Sequence, residues 1–134
     1  MFRLRDPLPS DVPFVVDTWR QSYRSACEHG RKLDKDEYFP AASRAINALL
    51  SRPDVELVIL GSDDPSDVIT ADGFACFQGG TVHYVYVRED ARGLGAARML
   101  LADRNITHYS HVSRSLDESR LPEAWRPTLK GRIL

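Results

Sequence analysis

The fold is decided by the segment His83-Tyr-Val-Tyr-Val-Arg-Glu-Asp-Ala-Arg-Gly-Leu-Gly-Ala-Ala-Arg-Met-Leu-Leu101. Its first residues, with Thr81 and Val82 before them, are β-branched or aromatic and predict a strand over residues 81–87. Small residues follow, and from Gly95 onward apolar residues recur at helical spacing. The segment therefore predicts a strand, a glycine loop and a helix in direct succession.

Such a loop can hold an anion, because glycines let the backbone approach a ligand and unpaired N–H groups at a helix start point outward. Pyrophosphate is a suitable ligand, although a Gly-x-Gly loop can also serve only to pack a strand tightly against a helix. A Walker A loop is excluded because Ala96 and Ala97 stand where Lys and Ser or Thr are needed. A dinucleotide fingerprint lacks its early position and its alternation of parallel strands and helices.

The residues around this segment predict further strands and helices. Residues 2–5 predict a strand, followed by a helix capped by Ser10, with Pro13 in its first turn. A second helix is predicted from Pro40 to near Arg52. Residues 55–60 and 68–77 predict an antiparallel hairpin with a bulge at Gly73. One more strand is predicted within residues 105–112, and the rest of the chain has no clear periodicity. The helix residues expected to face the sheet are Val12, Val15, Val16, Trp19, Tyr23, Ala42, Ile46, Leu49 and Leu50.

The glycine segment resembles the signature of the GNAT superfamily of N-acetyltransferases, which is Gln/Arg-x-x-Gly-x-Gly/Ala opening a helix after a strand that ends in valine. Arg92, Gly95 and Ala97 fill its three defined positions after Val87. The sequence Gly73-Phe-Ala is also similar to one common in the third GNAT strand. The resemblance extends from residue 2 to about residue 112. It implies the GNAT fold, an α/β fold of α+β type: a mixed, mostly antiparallel sheet with helices on both faces and splayed fourth and fifth strands.

The resemblance implies an acetyl-CoA-dependent N-acetyltransferase in which a primary amine attacks the thioester directly in a ternary complex. Backbone N–H groups of residues 92–97 would cradle the pyrophosphate of coenzyme A, and the backbone of residues 85–87 would pair with the pantetheine arm. A backbone N–H of the same strand would stabilise the oxyanion. The candidate cofactor-binding residues are Val85, Tyr86, Val87, Arg92, Gly93, Leu94, Gly95, Ala96 and Ala97.

For the base that deprotonates the amine, His83 is the first candidate. Histidine can change its charge near neutral pH, and regular alternation would put His83 on the strand face of Thr81, Val85 and Val87. The alternative is a histidine hydrogen-bonded across the sheet. Glu89 is the second candidate for the base, although a charged residue in this turn is more often simply solvated.

The proton donor for the departing thiolate is the other open assignment. The GNAT family commonly uses a tyrosine from the helix after the fifth strand, but the last tyrosine here is Tyr109, which is predicted to lie on that strand. Its ring is as consistent with the core as with the thioester sulfur. Ser110, His108 and His111 are neighbours with similar claims to the role, and a metal bound by the two histidines is not expected, because no third ligand is in register.

The acceptor is a small-molecule or protein amine that the sequence does not specify. The charge-rich segment between the two helices, residues 27–39, is predicted to form a substrate loop. Four aromatic residues could line an acceptor pocket or, as is usual at helical spacing, belong to the core: Trp19, Tyr23, Tyr38 and Phe39.

Size and composition fit one domain over residues 1–134. A formal net charge of −1 offers no general attraction to nucleic acid or to a membrane. Cys27 and Cys76 are expected to fill the core, and a cytoplasmic location is expected from the lack of an apolar leader.

A shortened C-terminal end relative to other GNAT chains is expected, with Trp125 covering the sheet end and an exposed edge that allows a homodimer. Basic residues of the tail could be solvated or meet the coenzyme's 3′-phosphate: Arg114, Arg120, Arg126, Lys130 and Arg132.

These features leave two other functions open. One is a GNAT-fold module that binds coenzyme A or a partner protein and has lost turnover. The other is a domain that binds a different phosphate ligand.

Overall fold

The computed structural model describes residues 2–26, 31–62, 71–111, 113 and 121–129. Its helices are α1 (Asp11–Ala26), α2 (Lys35–Leu50) and α3 (Ala96–Leu101), with a 3₁₀ turn at Glu89–Ala91. Its strands are β1 (Phe2–Arg5), β2 (Val55–Ser62), β3 (Ala71–Gln78), β4 (Thr81–Val87), β5 (His108–Tyr109) and β6 (Arg126–Pro127).

These strands form one mixed sheet in the order β1-β2-β3-β4-β5-β6. The first four pair antiparallel, whereas β4 with β5 and β5 with β6 pair parallel. The predicted strand at the start of the chain, the central hairpin and the mixed sheet are therefore confirmed. The predicted strand within residues 105–112 is reduced to two residues, and β6 follows from a tail in which no strand was predicted.

The helices cover both faces of the sheet, as predicted. On one face, α1 and α2 pack through a buried cluster with the β3 and β4 residues Phe74, Cys76 and Tyr84. On the other face, α3 packs through Ala96 and Leu100 on a second cluster, which Trp125 also contacts. All the helix residues predicted to face the sheet belong to the first cluster or pack against its edge.

Cys76 fills the core as predicted, and burial raises the pKa of its thiol to about 12. Cys27 lies outside the described residues. The apolar surface buried by the two clusters provides the main stabilisation of the fold. In the described ranges, no helix has the length and apolarity needed to cross a membrane.

The start of α2 differs from the prediction. The helix begins at Lys35, five residues before Pro40, because the Asp34 side chain accepts a hydrogen bond from the Asp36 backbone N–H at 2.8 Å and caps the first turn. Tyr38 is buried in the core, and its hydroxyl donates to the Arg20 carbonyl at 2.7 Å. The predicted substrate loop is thus wrong for residues 35–39, which are helical, and residues 27–30 lie outside the described part.

The predicted bulge of β3 lies one residue before Gly73. Leu60 pairs with Gly73 and Gly61 pairs with Ala71, so Asp72 is the extra residue. Asp72 is buried, and its carboxylate pairs with the Arg88 guanidinium at 2.9 Å. The bulge therefore ties the end of β4 to β3 at the point where the glycine loop begins.

Replacing Gly73 with alanine should lower the free energy of unfolding by about 1–3 kcal/mol. A Cβ atom at this position would clash with the Tyr86 carbonyl oxygen and would lie 3.3 Å from the Val87 Cα, so the β4 backbone itself must move. Urea denaturation measures the loss. Gly80→Ala is the matched control, because its Cβ would lie closest to the movable Thr107 hydroxyl, at 2.9 Å, and would be no nearer than 3.4 Å to a backbone atom. Equal losses in the two variants would contradict the prediction.

Candidate functional site

The candidate site is the place where β4 and β5 stop pairing, called the opening below; His83, Val85, Val87 and Ser110 beside it are buried. The two strands pair only at Thr81 with His108 and at Val82 with Tyr109, and the Ser110 N–H then donates to the Val82 carbonyl at 3.1 Å. Beyond Val82, β4 has no strand partner on this side within the described ranges. The predicted splaying of the fourth and fifth strands is therefore confirmed.

The backbone of β4 faces this opening at alternate residues. The Arg88 N–H donates to the Asp72 carbonyl of β3, and Tyr86 pairs with Phe74 of the same strand. Because the backbone groups of successive residues point to opposite sides of a strand, those of Val85 and Val87 point away from β3, toward the opening. Two side chains bond their carbonyls. Ser113 Oγ donates to the Val85 carbonyl at 2.6 Å, and Arg92 Nε donates to the Val87 carbonyl at 2.8 Å.

The glycine loop follows directly at the end of this edge. Gly93 and Gly95 have φ angles of 79° and 81°, in the left-handed region that favours glycine. Gly95 precedes α3, and its carbonyl accepts the Met99 N–H at 3.0 Å. Within the described part of the chain, the backbone N–H groups of residues 93–97 have no hydrogen-bond acceptor. The loop thus presents several free donors at the end of β4.

His83 is the extra residue of a second bulge. Cys76 pairs with Tyr84 and Phe77 pairs with Val82, so the register between β3 and β4 skips His83. The bulge interrupts the alternation of the strand, and Val82 and Val85 consequently pack in the same cluster. The predicted regular alternation through His83 is therefore wrong, because it assumed a strand without an insertion.

The His83 ring is fully buried, and both of its nitrogens have hydrogen-bond partners. Nε2 lies 2.9 Å from the Gln78 Oε1, and Nδ1 lies 2.7 Å from the Ser110 Oγ. The Gln78 amide nitrogen donates to the Asp54 carboxylate at 2.7 Å, so Gln78 presents its carbonyl to His83. In the neutral ring this arrangement assigns the proton to Nε2 and leaves Nδ1 to accept from the Ser110 hydroxyl.

The far ends of this chain of hydrogen bonds differ in exposure. Asp54 is half-exposed, and its pKa is lowered to about 2, first by the hydrogen bond from Gln78 and then by that from Arg52. At the other end, Ser110 Oγ lies 2.7 Å from the Nδ1 of His111, whose ring is buried and meets Tyr23 edge-on at 5.1 Å. The hydrogen-bonded chain thus crosses the sheet just where β4 and β5 separate.

The architecture has counterparts among solved structures. The apo form of YjaB from Escherichia coli matches with a TM-score of 0.54 and 20% identity over 75% of this chain and 62% of that one. A putative GNAT-family acetyltransferase from Desulfovibrio desulfuricans matches with a TM-score of 0.48 and 20% identity over 76% and 62% of the two chains. A GCN5-related N-acetyltransferase from Kribbella flavida matches with a TM-score of 0.48 and 19% identity over 76% and 61%.

The match to YjaB shows a shared fold, and the sheet order, the end of pairing beside β4 and the glycine loop before α3 agree with the fold that the sequence predicts. The chain has the GNAT fold. It spans about three fifths of the length of the three solved structures. No protein-family model and no curated protein matches the sequence.

On this GNAT fold the other candidates for proton transfer occupy different environments. Tyr109 lies on β5, as predicted, and its partly buried ring packs against the cluster that contains Val85 and Val87. Glu89 is exposed in the 3₁₀ turn, and His108 bonds the exposed Thr107 hydroxyl. Only His83, Ser110 and His111 are brought together at the opening.

A cavity of about 380 Å³ lies on the α1 face of the GNAT fold, beside the end of β4. Its wall on α1 is polar, and the adjacent Ser22 and Tyr84 hydroxyls are 2.6 Å apart. Trp19, Tyr23 and Tyr38 belong to the core and Phe39 packs against it, which leaves the polar side of α1 to line the cavity. Sequence reasoning missed these residues, because polar residues on an amphipathic helix usually face solvent. The lining residues are Asp17, Thr18, Gln21, Ser22, Ser25, Tyr86 and Arg92.

Two further expectations concern metal and the tail. Among the residues that the structure describes, no three His, Cys, Asp or Glu side chains converge as a metal site would require. Arg126 is exposed on β6. Arg114, Arg120, Lys130 and Arg132 lie outside the described residues.

Proposed function

We propose that the protein is an acetyl-CoA-dependent N-acetyltransferase of the GNAT family. The observation that carries the proposal is the continuity of the β4 edge with the glycine loop, where five successive N–H groups, those of residues 93–97, lack an acceptor within the described ranges. An extended ligand with an anionic end matches this surface, because its amides can pair with the strand and its phosphates with the loop. Acetyl-coenzyme A has this form.

In this proposal the coenzyme is held mainly by backbone groups. The pantetheine arm lies along Val85, Tyr86 and Val87, and the pyrophosphate lies over Arg92, Gly93, Leu94, Gly95, Ala96 and Ala97. Residues 93–97 are small or exposed, so the phosphates can approach their N–H groups closely. Coenzyme affinity should therefore depend on backbone conformation more than on the identity of these side chains.

Titration of the protein with coenzyme A, followed by isothermal calorimetry and by thermal shift, tests the proposal. Saturable binding with a raised melting temperature is expected. Acetyl-coenzyme A should then be consumed in the presence of an amine panel that includes polyamines, amino sugars and peptide amines. Lack of coenzyme binding would overturn the proposal.

The proposed reaction is direct attack of a neutral primary amine on the thioester carbonyl within a ternary complex. The ammonium form first loses one proton to the base. The second proton leaves the nitrogen as the tetrahedral intermediate collapses, and one proton is delivered to the departing thiolate. A backbone N–H of β4 stabilises the oxyanion. Tyr109, packed on the side of Val85 and Val87, is the candidate donor to the thiolate.

His83 remains the candidate base, but it would act through Ser110. Its Nε2 proton is directed to Gln78, so the nitrogen that can accept a proton is Nδ1, which meets the Ser110 hydroxyl. Ser110 can pass its own proton to His83 while it receives one from the amine. The half-exposed Asp54 carboxylate orients Gln78 and lies on the side where the imidazolium charge develops.

His83→Gln should lower kcat/KM by about 100-fold or more and remove the acid limb of its pH profile. Ser110→Ala should also lower kcat/KM, because it removes the hydroxyl through which His83 would accept the proton of the amine. His108→Gln is the matched control, since the ring of this histidine bonds the exposed Thr107 hydroxyl, away from the opening, and its loss should leave the rate intact. Full activity of His83→Gln at every pH, with coenzyme binding retained, would remove the assignment.

The cavity beside α1 is the candidate acceptor site. Its volume of about 380 Å³ suits a small molecule, and its wall combines one carboxylate, one guanidinium, an amide and several hydroxyls. These groups favour a polar small-molecule amine over a protein substrate. A higher kcat/KM for peptide amines than for small hydroxylated amines would contradict this part of the proposal.

A second candidate function is a GNAT-fold module that binds the coenzyme without turnover. The complete burial of His83 and the packing of the Tyr109 ring favour it, because neither group is displayed on an open surface. Coenzyme binding without acetylation of any amine in the panel would select this function.

A further inference from the structure

The Val85 carbonyl has a donor that belongs to neither neighbouring strand. Val85 is fully buried and Ser113 nearly so, and Ser113 Oγ donates to the carbonyl at 2.6 Å. A buried carbonyl is costly without a donor, and β5 has already separated from β4 at this point. The serine hydroxyl therefore supplies the bond that a paired strand would otherwise make.

The next carbonyl on this edge toward the glycine loop, that of Val87, has the same kind of partner. Arg92 Nε donates to it at 2.8 Å. Within the described ranges, the donors to these two carbonyls are therefore side-chain groups, which can rotate away without changing the path of the backbone. An edge closed by side chains can be opened by an extended ligand that brings its own N–H groups.

We propose that Ser113 is a displaceable substitute for the coenzyme, holding the Val85 carbonyl until the pantetheine amide replaces its hydroxyl. The inference rests on the proposed function, which lays the pantetheine arm along this edge. Binding then exchanges one hydrogen bond for another. The free energy released at Val85 is only the difference between the two bonds, so Ser113 weakens coenzyme affinity.

If this exchange occurs, substitution of Ser113 should change the Kd for the coenzyme in the opposite direction from substitution of a residue that contacts the ligand. Removing a residue that holds the ligand weakens binding, whereas removing a competitor leaves the carbonyl unpaired in the free protein and strengthens binding. Ser113→Ala should lower the Kd for coenzyme A by about 3–10-fold, the range that corresponds to the net value of one hydrogen bond. The free Ser113→Ala protein should also be less stable than the wild type, because its Val85 carbonyl has lost this donor.

Isothermal calorimetry with coenzyme A on the full chain tests the inference. Ser51→Ala is the matched control, because Ser51 Oγ also donates to a backbone carbonyl, that of Asn47 at 2.8 Å, at the end of α2. The control should bind with the wild-type Kd. Ser113→Thr keeps a hydroxyl and should also bind as the wild type does.

A second readout covers the case in which Ser113→Ala folds poorly. Ser113→Cys keeps the size of the side chain but donates weakly, so it should also lower the Kd. The difference in melting temperature between each variant and the wild type should shrink when coenzyme A is saturating. An unchanged or raised Kd in both variants would overturn the inference, because a carbonyl can accept two bonds and Ser113 would then bind alongside the ligand.

The two failures are distinguishable. Wild-type protein that does not bind coenzyme A overturns the proposed function, and the inference with it. Wild-type binding without tightening in the Ser113 variants overturns the inference alone.

Discussion

Gly95→Val should reduce coenzyme A affinity by about 100-fold or more while the protein remains folded. Gly95 has a φ of 81°, and a β-branched residue adopts this conformation only at a substantial cost. A Cβ at this exposed position would meet no atom within 4 Å, so the effect arises from the backbone and not from a clash. When the loop relaxes, the N–H groups that face the pyrophosphate lose their common direction, and hydrogen bonds to a charged group are worth about 1.5–3 kcal/mol each.

Gly79→Val is the control that distinguishes a loss of coenzyme binding from a loss of protein stability. Gly79 has a φ of 56° in the turn between β3 and β4, is exposed, and also has open space where a Cβ would lie. Both variants should therefore lose similar stability in urea denaturation, whereas only Gly95→Val should lose affinity in calorimetry. Equal affinities in the two variants would show that the glycine loop does not bind the coenzyme.

The glycine loop could be predicted because its signal is local. A β-branched strand, two glycines and a helical repeat lie within 21 consecutive residues, 81–101, and the structure has a strand, a loop and a helix there. The start of α2 was missed because residues 35–39 are charged or aromatic and carry no apolar repeat. The Asp34 cap and the acidic first turn are local signals for a helix there, whereas the contact of Tyr38 with α1 depends on the tertiary structure.

The environment of His83 could not be predicted from β4 alone. Its bulge depends on the register between β4 and β3, which shifts by one residue at His83. The partners Gln78 and Ser110 come from the end of one strand and the residue after another. Ser113 is a similar case, since it lies in a stretch without periodicity and becomes significant only because β4 and β5 separate before it.

Trp19→Ala should lower the free energy of unfolding by about 3–5 kcal/mol, a large share of the 5–15 kcal/mol of a typical domain. The ring is fully buried, and it stacks on Tyr84 at 5.0 Å with an interplanar angle of 7°. It also meets the His111 ring edge-on at 6.0 Å. Removing it leaves a cavity between α1 and β4 that neighbouring rings can fill only in part. Urea denaturation followed by circular dichroism measures the loss.

Phe14→Ala is the matched control, because Phe14 is an aromatic residue of the same helix that remains 38% exposed. Phe14→Ala should lower the free energy of unfolding by much less than Trp19→Ala does. Since Tyr84 follows His83 directly and its hydroxyl bonds Ser22 beside the cavity, Trp19 also supports the strand segment on which the proposed chemistry depends. Trp19→Phe should therefore recover much of the stability, because it restores a ring against Tyr84. A loss below about 1.5 kcal/mol in Trp19→Ala would contradict the account of this core, since full burial of a large aromatic ring contributes more than that.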